Sequence, residues 1–373
     1  MPPLRVALDA TPLLGARTGV GVFTNGLLDA LAGHPGVEVA GYALSWRSWR
    51  SLGAALPAGV RHVRRSMPPQ PLRGCWRRGP WPPAEWWTGP VDVVHGTNFI
   101  VPPGRRAASV TTVHDLTAVR YPELCHGDPL WYPLLLRRAL AWGAWVHTVS
   151  SFVAEEVVAR LGADPERVVV VPEAVPPVAP AAPEEGWKLA GADRYVLALS
   201  TVEPRKDHLS LVRAFDRVAS ADRGVRLVIA GQEAWGSDRL DRAVAASPHG
   251  DRIVRLGYVP DGDRAALLRG AAVLAFPSKY EGFGLPPLEA MSVGVPVVAS
   301  DAGSLPEVLG GGAVLTPAGD APALADALAA ALSDEGLRAR LVAAGHAQVA
   351  RYSWDRCAAG MVDLYARAVG RAR

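Results

Sequence analysis

Lysine is nearly missing from this chain. Only Lys188, Lys206 and Lys279 occur among 39 basic residues, so a lysine inside a motif is not a chance draw from an abundant type. Cysteine is equally scarce: Cys75, Cys125 and Cys357 are odd in number and show no C-x-x-C spacing, which excludes a disulfide framework and gives no zinc site. A reducing compartment fits that usage. No run of eighteen apolar residues occurs, and the chain enters a strand-like segment at Leu4 without a basic stretch and a long apolar one. Neither a membrane-spanning helix nor a secretory leader is therefore expected. A large net charge is also absent, since +3 is too small to argue for a nucleic-acid partner. The expectation is a cytoplasmic protein, with peripheral membrane contact left open.

What is present describes an ordinary globular chain: 49% hydrophobic and 20% charged residues over 373 positions, long enough for two domains. Apolar, β-branched runs alternate with amphipathic segments, the pattern of parallel sheets covered by helices. The strand candidates are 4–10, 37–44, 91–95, 109–114, 145–150 and 168–171, then 195–201, 225–231, 253–259, 273–277 and 296–300. Two doubly wound α/β units follow, a first domain over 1–175 and a second over 186–350. A proline- and alanine-rich linker at 172–185 joins them. Ser353 before Trp354 reads as the N-cap of a last helix, about 353–373, that packs back on the first domain. The segment 57–103 holds ten prolines, too many missing N–H donors for a sheet interior, and reads as surface loops and short elements.

The sharpest signal is Glu281-Gly282-Phe283-Gly284-Leu285-Pro286-Pro287-Leu288-Glu289, directly after a strand. Prolines opening a helix behind a glycine turn give a helix amino end whose first N–H groups lack intrahelical partners and whose dipole favours anions. Glu289, a turn inside that helix, suits a ribose diol; Glu281 suits sugar hydroxyls. Glu203-Pro204-Arg205-Lys206-Asp207 follows another strand. In a doubly wound sheet the strands' carboxyl ends face the ligand crevice, which places Arg205 and Lys206 where a diphosphate would sit. Thr18-Gly19-Val20-Gly21-Val22 reads as a glycine-rich strand-to-helix loop suited to phosphate oxygens. It has neither G-x-G-x-x-G nor P-loop spacing. His114-Asp115 ends a strand on the crevice side, able to orient a sugar and an incoming hydroxyl.

Together with Thr148-Val149-Ser150-Ser151-Phe152, Ile229-Ala230-Gly231 and Leu256-Gly257-Tyr258-Val259, these segments resemble, in order and spacing, the retaining family 4 glycosyltransferases. The resemblance implies the GT-B fold, two Rossmann-like domains facing each other across a cleft. It implies an enzyme that moves a sugar from a nucleoside-diphosphate sugar to an acceptor hydroxyl in glycan, glycolipid or natural-product synthesis. Carried over, Arg205 and Lys206 bind the diphosphate, Glu289 the ribose, and Glu281 with the backbone of Gly282, Phe283, Gly284 and Leu285 the sugar and phosphate. Val259 falls at the base, His114 beside the donor sugar, and Gly19 and Gly21 close on the donor. Retention by front-face attack, in which the leaving phosphate takes the acceptor's proton, requires no dedicated base, and no carboxylate pair of the glycosidase kind stands out. No D-x-D is read after a strand, so neither metal nor other cofactor is expected. GDP-mannose is the favoured donor, with UDP- and dTDP-linked sugars open. Asp207 replaces a common Asn or Gly and is expected to weaken the phosphate site by its charge. Glu173-Ala174 replaces a common Asn-Gly and is expected to affect hinge motion.

Two rivals remain on the sequence. One is a non-catalytic sugar-nucleotide or carbohydrate-binding protein on the same scaffold. The other is a dehydrogenase, which wants an acid at the end of the second strand where Glu38 instead stands at its beginning. Between Arg47 and Arg106 lie ten arginines against Glu85 and Asp92, with six of the twelve tryptophans in or beside the stretch. The reading taken is an insert whose aromatics pack internally; the other is an acceptor site or an anionic membrane contact.

Overall fold

The computed structural model describes residues 2–15, 18–125, 128–234 and 236–370. The chain forms two compact units, one built from 1–174 and 352–373, the other from 175–351. The first contains a seven-stranded sheet: β1 (Leu4–Asp9), β2 (Val37–Tyr42), β3 (Arg61–His62), β4 (Val93–Gly96), β5 (Ala108–Val113), β6 (Trp145–Thr148) and β7 (Val168–Val170). Their order is β3-β2-β1-β4-β5-β6-β7, and neighbours run parallel. Val6, Leu8, Val93, Val94 and Val110 are buried, as continuous apolar strands must be when helices cover both faces.

In the second unit β8 (Tyr195–Leu199), β9 (Arg226–Ala230), β10 (Ile253–Gly257), β11 (Val273–Phe276), β12 (Val297–Ser300) and β13 (Ala313–Thr316) are ordered β10-β9-β8-β11-β12-β13, again parallel. Each sheet reverses its winding beside its first strand, between β1 and β4 and between β8 and β11. Strand carboxyl ends at such a switch point are where open α/β sheets bind ligands. The fold is the doubly wound α/β arrangement of GT-B proteins.

Several local expectations change. β3 and β13 have no counterpart among the sequence's strand candidates; both are short edge strands, one among prolines and one behind Gly310-Gly311-Gly312. A helix, Pro183–Ala190, occupies the end of the expected linker. The proline-rich 57–103 segment is not all surface. Met67, Leu72 and Trp76 lie in the core, and the Trp76 indole N–H donates to the Pro82 carbonyl at 3.0 Å. Gly19 and Gly21 are not in a loop but in the first turn of the helix Gly19–Ala32, with Thr18 as N-cap and Val22 N bonded to Thr18 O at 2.9 Å.

The last helix, Trp354–Ala368, belongs to the first unit. Ser353 caps it by accepting from Arg356 N at 3.3 Å, and its Met361, Leu364 and Tyr365 are buried among Leu27, Leu28 and Leu31. A polar chain crosses this core. Tyr365 Oη lies 2.7 Å from His95 Nδ1, His95 Nε2 lies 2.8 Å from Thr112 Oγ1, and Thr112 Oγ1 lies 2.9 Å from His147 Nδ1; His147 Nε2 is 2.8 Å from the Val171 carbonyl. Burial depresses both imidazoles, His95 well below its ordinary value and His147 to about 4, so both are neutral. The carbonyl can only accept, which fixes the whole chain: His147 Nε2–H donates to it, Thr112 to His147, His95 Nε2–H to Thr112, and Tyr365 to His95.

Candidate functional site

In the second unit the loops after β8 and β11 meet at the switch point. After β8, Pro204–Lys206 forms a turn of 3-10 helix, closed by Lys206 N on Glu203 O at 3.0 Å and Asp207 N on Pro204 O at 3.2 Å. Asp207 adopts the left-handed conformation with φ 51°, and the helix His208–Ala221 follows. That φ explains the family's Asn or Gly here, because those residues, with Asp, best tolerate the region. The second loop is tied to the first by Lys279 N on Arg205 O at 2.8 Å. It ends at Gly284, whose φ of 108° is open to glycine alone at little cost, and the helix Leu285–Ser292 begins there. Pro286 and Pro287 carry no N–H, and the amides of Gly284 and Leu285 meet no protein acceptor among the described residues.

Three of the sequence-identified side chains converge. Lys206 Nζ lies 2.6 Å from Glu281 Oε1, and Arg205 Nη1 lies 3.1 Å from Glu281 Oε2 and 2.7 Å from the Tyr280 carbonyl. All three side chains are nearly buried. Burial pushes the Glu281 carboxyl up, but Lys206 and Arg205 outweigh it and hold the group down at about 2. The same burial, with repulsion from Arg205, lowers Lys206 against the pull of Glu281. Glu203, to which the sequence assigned no role, takes Arg205 Nη2 at 2.6 Å. Two cations thus face two carboxylates, and the local charge balances. Burial and the neighbouring Lys206 hold His208 at about 4, neutral.

Asp207 does not press its charge on Arg205 and Lys206 unopposed. Its Oδ1 lies 3.1 Å from Lys279 Nζ. Glu289 is buried in the helix behind Gly284 and accepts a close hydrogen bond from Arg264 Nη2, a partner the sequence gave no reason to choose. Val259 is half-buried just beyond β10, beside an exposed Tyr258. One D-x-D does follow a strand, contrary to the sequence reading: Asp261-Gly262-Asp263 opens the helix Asp261–Gly270, with both acids exposed.

In the first unit His114 directly follows β5 and spends both ring nitrogens on the protein. Nδ1 lies 2.6 Å from Glu173 Oε1 and Nε2 2.9 Å from the Thr97 carbonyl. Burial pulls this imidazole down, yet the ion pair with Glu173 raises it overall. Two acceptors around one ring describe an imidazolium. Glu173 is therefore a partner of His114 and not simply part of a hinge. A lone acid within Val168–Val175 was the available signal, since a buried carboxylate in an apolar run needs a partner. Asp115 accepts from Thr117 N at 2.8 Å and starts the short helix Thr117–Arg120. Gly19 has open space where a Cβ would stand.

Comparison with known proteins finds matches over both units. The description "Glycosyl transferases group 1" matches residues 184–348 and "Glycosyltransferase Family 4" residues 17–178. The O-antigen chain mannosyltransferase B of Escherichia coli is 34% identical over 282 residues, 73% of this chain and 74% of that protein. A phosphatidyl-myo-inositol mannosyltransferase of Mycobacterium leprae is 41% identical over 166 residues, 44% of this chain and 43% of that one. Among solved structures, sucrose-phosphate synthase of Thermosynechococcus elongatus shares the fold with a TM-score of 0.73 at 19% identity over 98% of both chains. HepE of Anabaena, solved with UDP, gives 0.70 at 18% identity over 96% of this chain and 98% of that one.

Proposed function

The chain belongs to the group 1, family 4 glycosyltransferases and moves a sugar to an acceptor, and from that premise we propose that its donor is a nucleoside-diphosphate sugar, with mannose on GDP as first choice. The names of the E. coli and M. leprae relatives support mannose; the UDP bound to HepE keeps a uridine donor as the second choice. Neither the non-catalytic binder nor the dehydrogenase finds support among these relatives.

The observation that carries the reading is one carboxylate, Glu281, held by both Lys206 and Arg205 at the switch point, beside a helix amino end. A diphosphate entering there shares two cations whose charge is otherwise balanced, and gains the amides of Gly284 and Leu285. In this proposal Glu281, Gly282 and Phe283 hold sugar and phosphate, Glu289 takes the ribose diol, and Val259 meets the base. Gly19, Gly21 and His114 keep the roles the family pattern gives them, and Asp115 keeps the one read from its place at the strand end, orienting a sugar or an incoming hydroxyl. The bond from the anomeric carbon to the phosphate oxygen breaks while the acceptor oxygen bonds the same face. The acceptor's proton passes to the departing phosphate oxygen, so configuration is retained without a separate base. Charge growing on that phosphate is stabilised by Arg205 and Lys206, which supports a reaction independent of metal. The acceptor is a hydroxyl of a glycan, glycolipid or natural product, and the protein works in the cytoplasm.

The test is a thermal-shift series with GDP, UDP, ADP and dTDP, followed by turnover of the matching sugar nucleotide. Selective stabilisation by GDP is expected. Lys206→Ala keeps its melting transition and loses activity by about 100-fold or more, and chelation with EDTA leaves the wild-type rate unchanged. Unaltered turnover in Lys206→Ala removes the diphosphate role, and activity lost to EDTA but restored by magnesium removes metal independence.

A further inference from the structure

The arginine- and tryptophan-rich stretch is not absorbed by the donor site, and its surface differs from the rest of the protein. Trp46, Trp81 and Trp86 are 63%, 59% and 51% exposed. Contacts join them into one surface along the crossover from β3 to β4. Ser66 Oγ donates to the Trp46 carbonyl at 3.0 Å, its neighbour Arg65 donates closely to the Trp86 carbonyl, and the Trp86 and Trp81 rings meet edge to face at 5.0 Å.

The charge left without an ion-pair partner around these rings has one sign. Elsewhere arginines find acids: Arg194 pairs with Asp222, Arg242 with Asp238, and Arg255 with Glu233. The exposed arginines between Arg47 and Arg106 form no ion pair with a carboxylate among the described residues. Both acids of the stretch are already engaged. Glu85 accepts from the backbone amides of Arg105, Arg106 and Ala107 at 2.8 to 3.0 Å, and Asp92 pairs with Arg5 at 3.0 Å. The Glu85 contacts spend its carboxylate on backbone amides and leave the Arg105 and Arg106 side chains exposed, beside an open groove of about 900 Å³ that both acids, Glu85 and Asp92, also line.

We propose that this surface docks on an anionic lipid bilayer, the tryptophans entering the interfacial layer and the guanidiniums meeting lipid phosphates. The chemistry favours that occupant over a protein. Tryptophan with arginine is the pairing that settles at the headgroup level, and a cationic field with no fixed acidic complement fits a mobile anionic surface. The assignment stands independently of the donor reading.

Sedimentation of the full-length chain with phosphatidylcholine vesicles, with and without phosphatidylglycerol, tests it. Binding is expected only with the anionic lipid and is lost at high salt. Arg64→Glu with Arg65→Glu should weaken binding by about tenfold or more, and Trp46→Ser, Trp81→Ser and Trp86→Ser together by a similar factor. Arg217→Glu, on an exposed position of the second unit, should change nothing. Melting curves verify that each variant is folded. No sedimentation at low salt, equal binding to neutral vesicles, or full binding by either folded multiple variant overturns the proposal. So does a dimer in solution that covers the three tryptophans and leaves the protein off the vesicles.

Discussion

Arg264 carries a function that only the folded chain makes visible. Its guanidinium holds Glu289, the residue proposed for the ribose diol, so it acts through that carboxylate and is a positioning residue. Arg264→Ala is expected to weaken nucleoside-diphosphate binding by about tenfold, the worth of one charge-assisted hydrogen bond, and to narrow the preference for ribose over 2′-deoxyribose. Calorimetry with GDP and 2′-deoxy-GDP reads both. Equal losses for the two ligands would make the arginine structural. Asp9 makes a second residue-scale case. Burial raises its carboxyl to about 6 although Thr11 donates to it twice. An acid with a raised folded value costs stability as pH climbs from its unfolded 3.8 to about 6, and the full cost persists above that range. Asp9→Asn keeps an acceptor for Thr11 and should stabilise the protein at neutral pH by up to roughly 3 kcal/mol. The gain should vanish below about pH 4 in denaturant titrations across pH. A gain independent of pH would contradict this account.

At the scale of elements, the helix Gly19–Ala32 meets the helix Trp354–Ala368 through Gly26. A Cβ placed there would overlap the Trp354 indole. Alanine normally strengthens a helix interior by about 1 kcal/mol over glycine. Here the overlap wins, because crowding a packed contact costs about 1–3 kcal/mol. Gly26→Ala should therefore lower urea-unfolding stability, whereas a gain would show that the interface yields. The same helix shows what the sequence could not tell. Gly19 and Gly21 look like a loop because glycine is a poor helix former; Thr18 and the packing of Phe23 and Leu27 override that preference. Buried strands such as Tyr195–Leu199 were legible as apolar runs. Arg61–His62 was not, since two residues between proline-rich segments carry no period. Of the candidate site, the cluster of Arg205, Lys206 and Glu281 was readable because each residue follows a strand at a switch point. Glu203 and Arg264 were not, and Glu173 showed only that it needed a partner, not which one: charge partners such as His114 and Glu173, 59 positions apart, are paired by the fold and not by spacing.

For the whole molecule, the second unit is one continuous segment, 175–351, while the first is assembled from both ends of the chain. Removing 352–373 strips Met361, Leu364 and Tyr365 from the first unit's core and leaves the second unit's residues intact. It also leaves His95 Nδ1, buried, without its donor. The truncated protein should show two thermal transitions, one strongly lowered and one near its original position, in calorimetry. A single shared loss would mean that the units unfold as one.

That division dictates an order of maturation on the ribosome. Domains usually consolidate from the amino end as they emerge, but here the portion made first must wait. Its hydrophobic groove over Leu27 and Leu31 stays uncovered until translation has passed through the entire later unit and delivered the closing helix. Nascent chains stalled shortly before codon 352 should therefore recruit chaperones through their oldest residues.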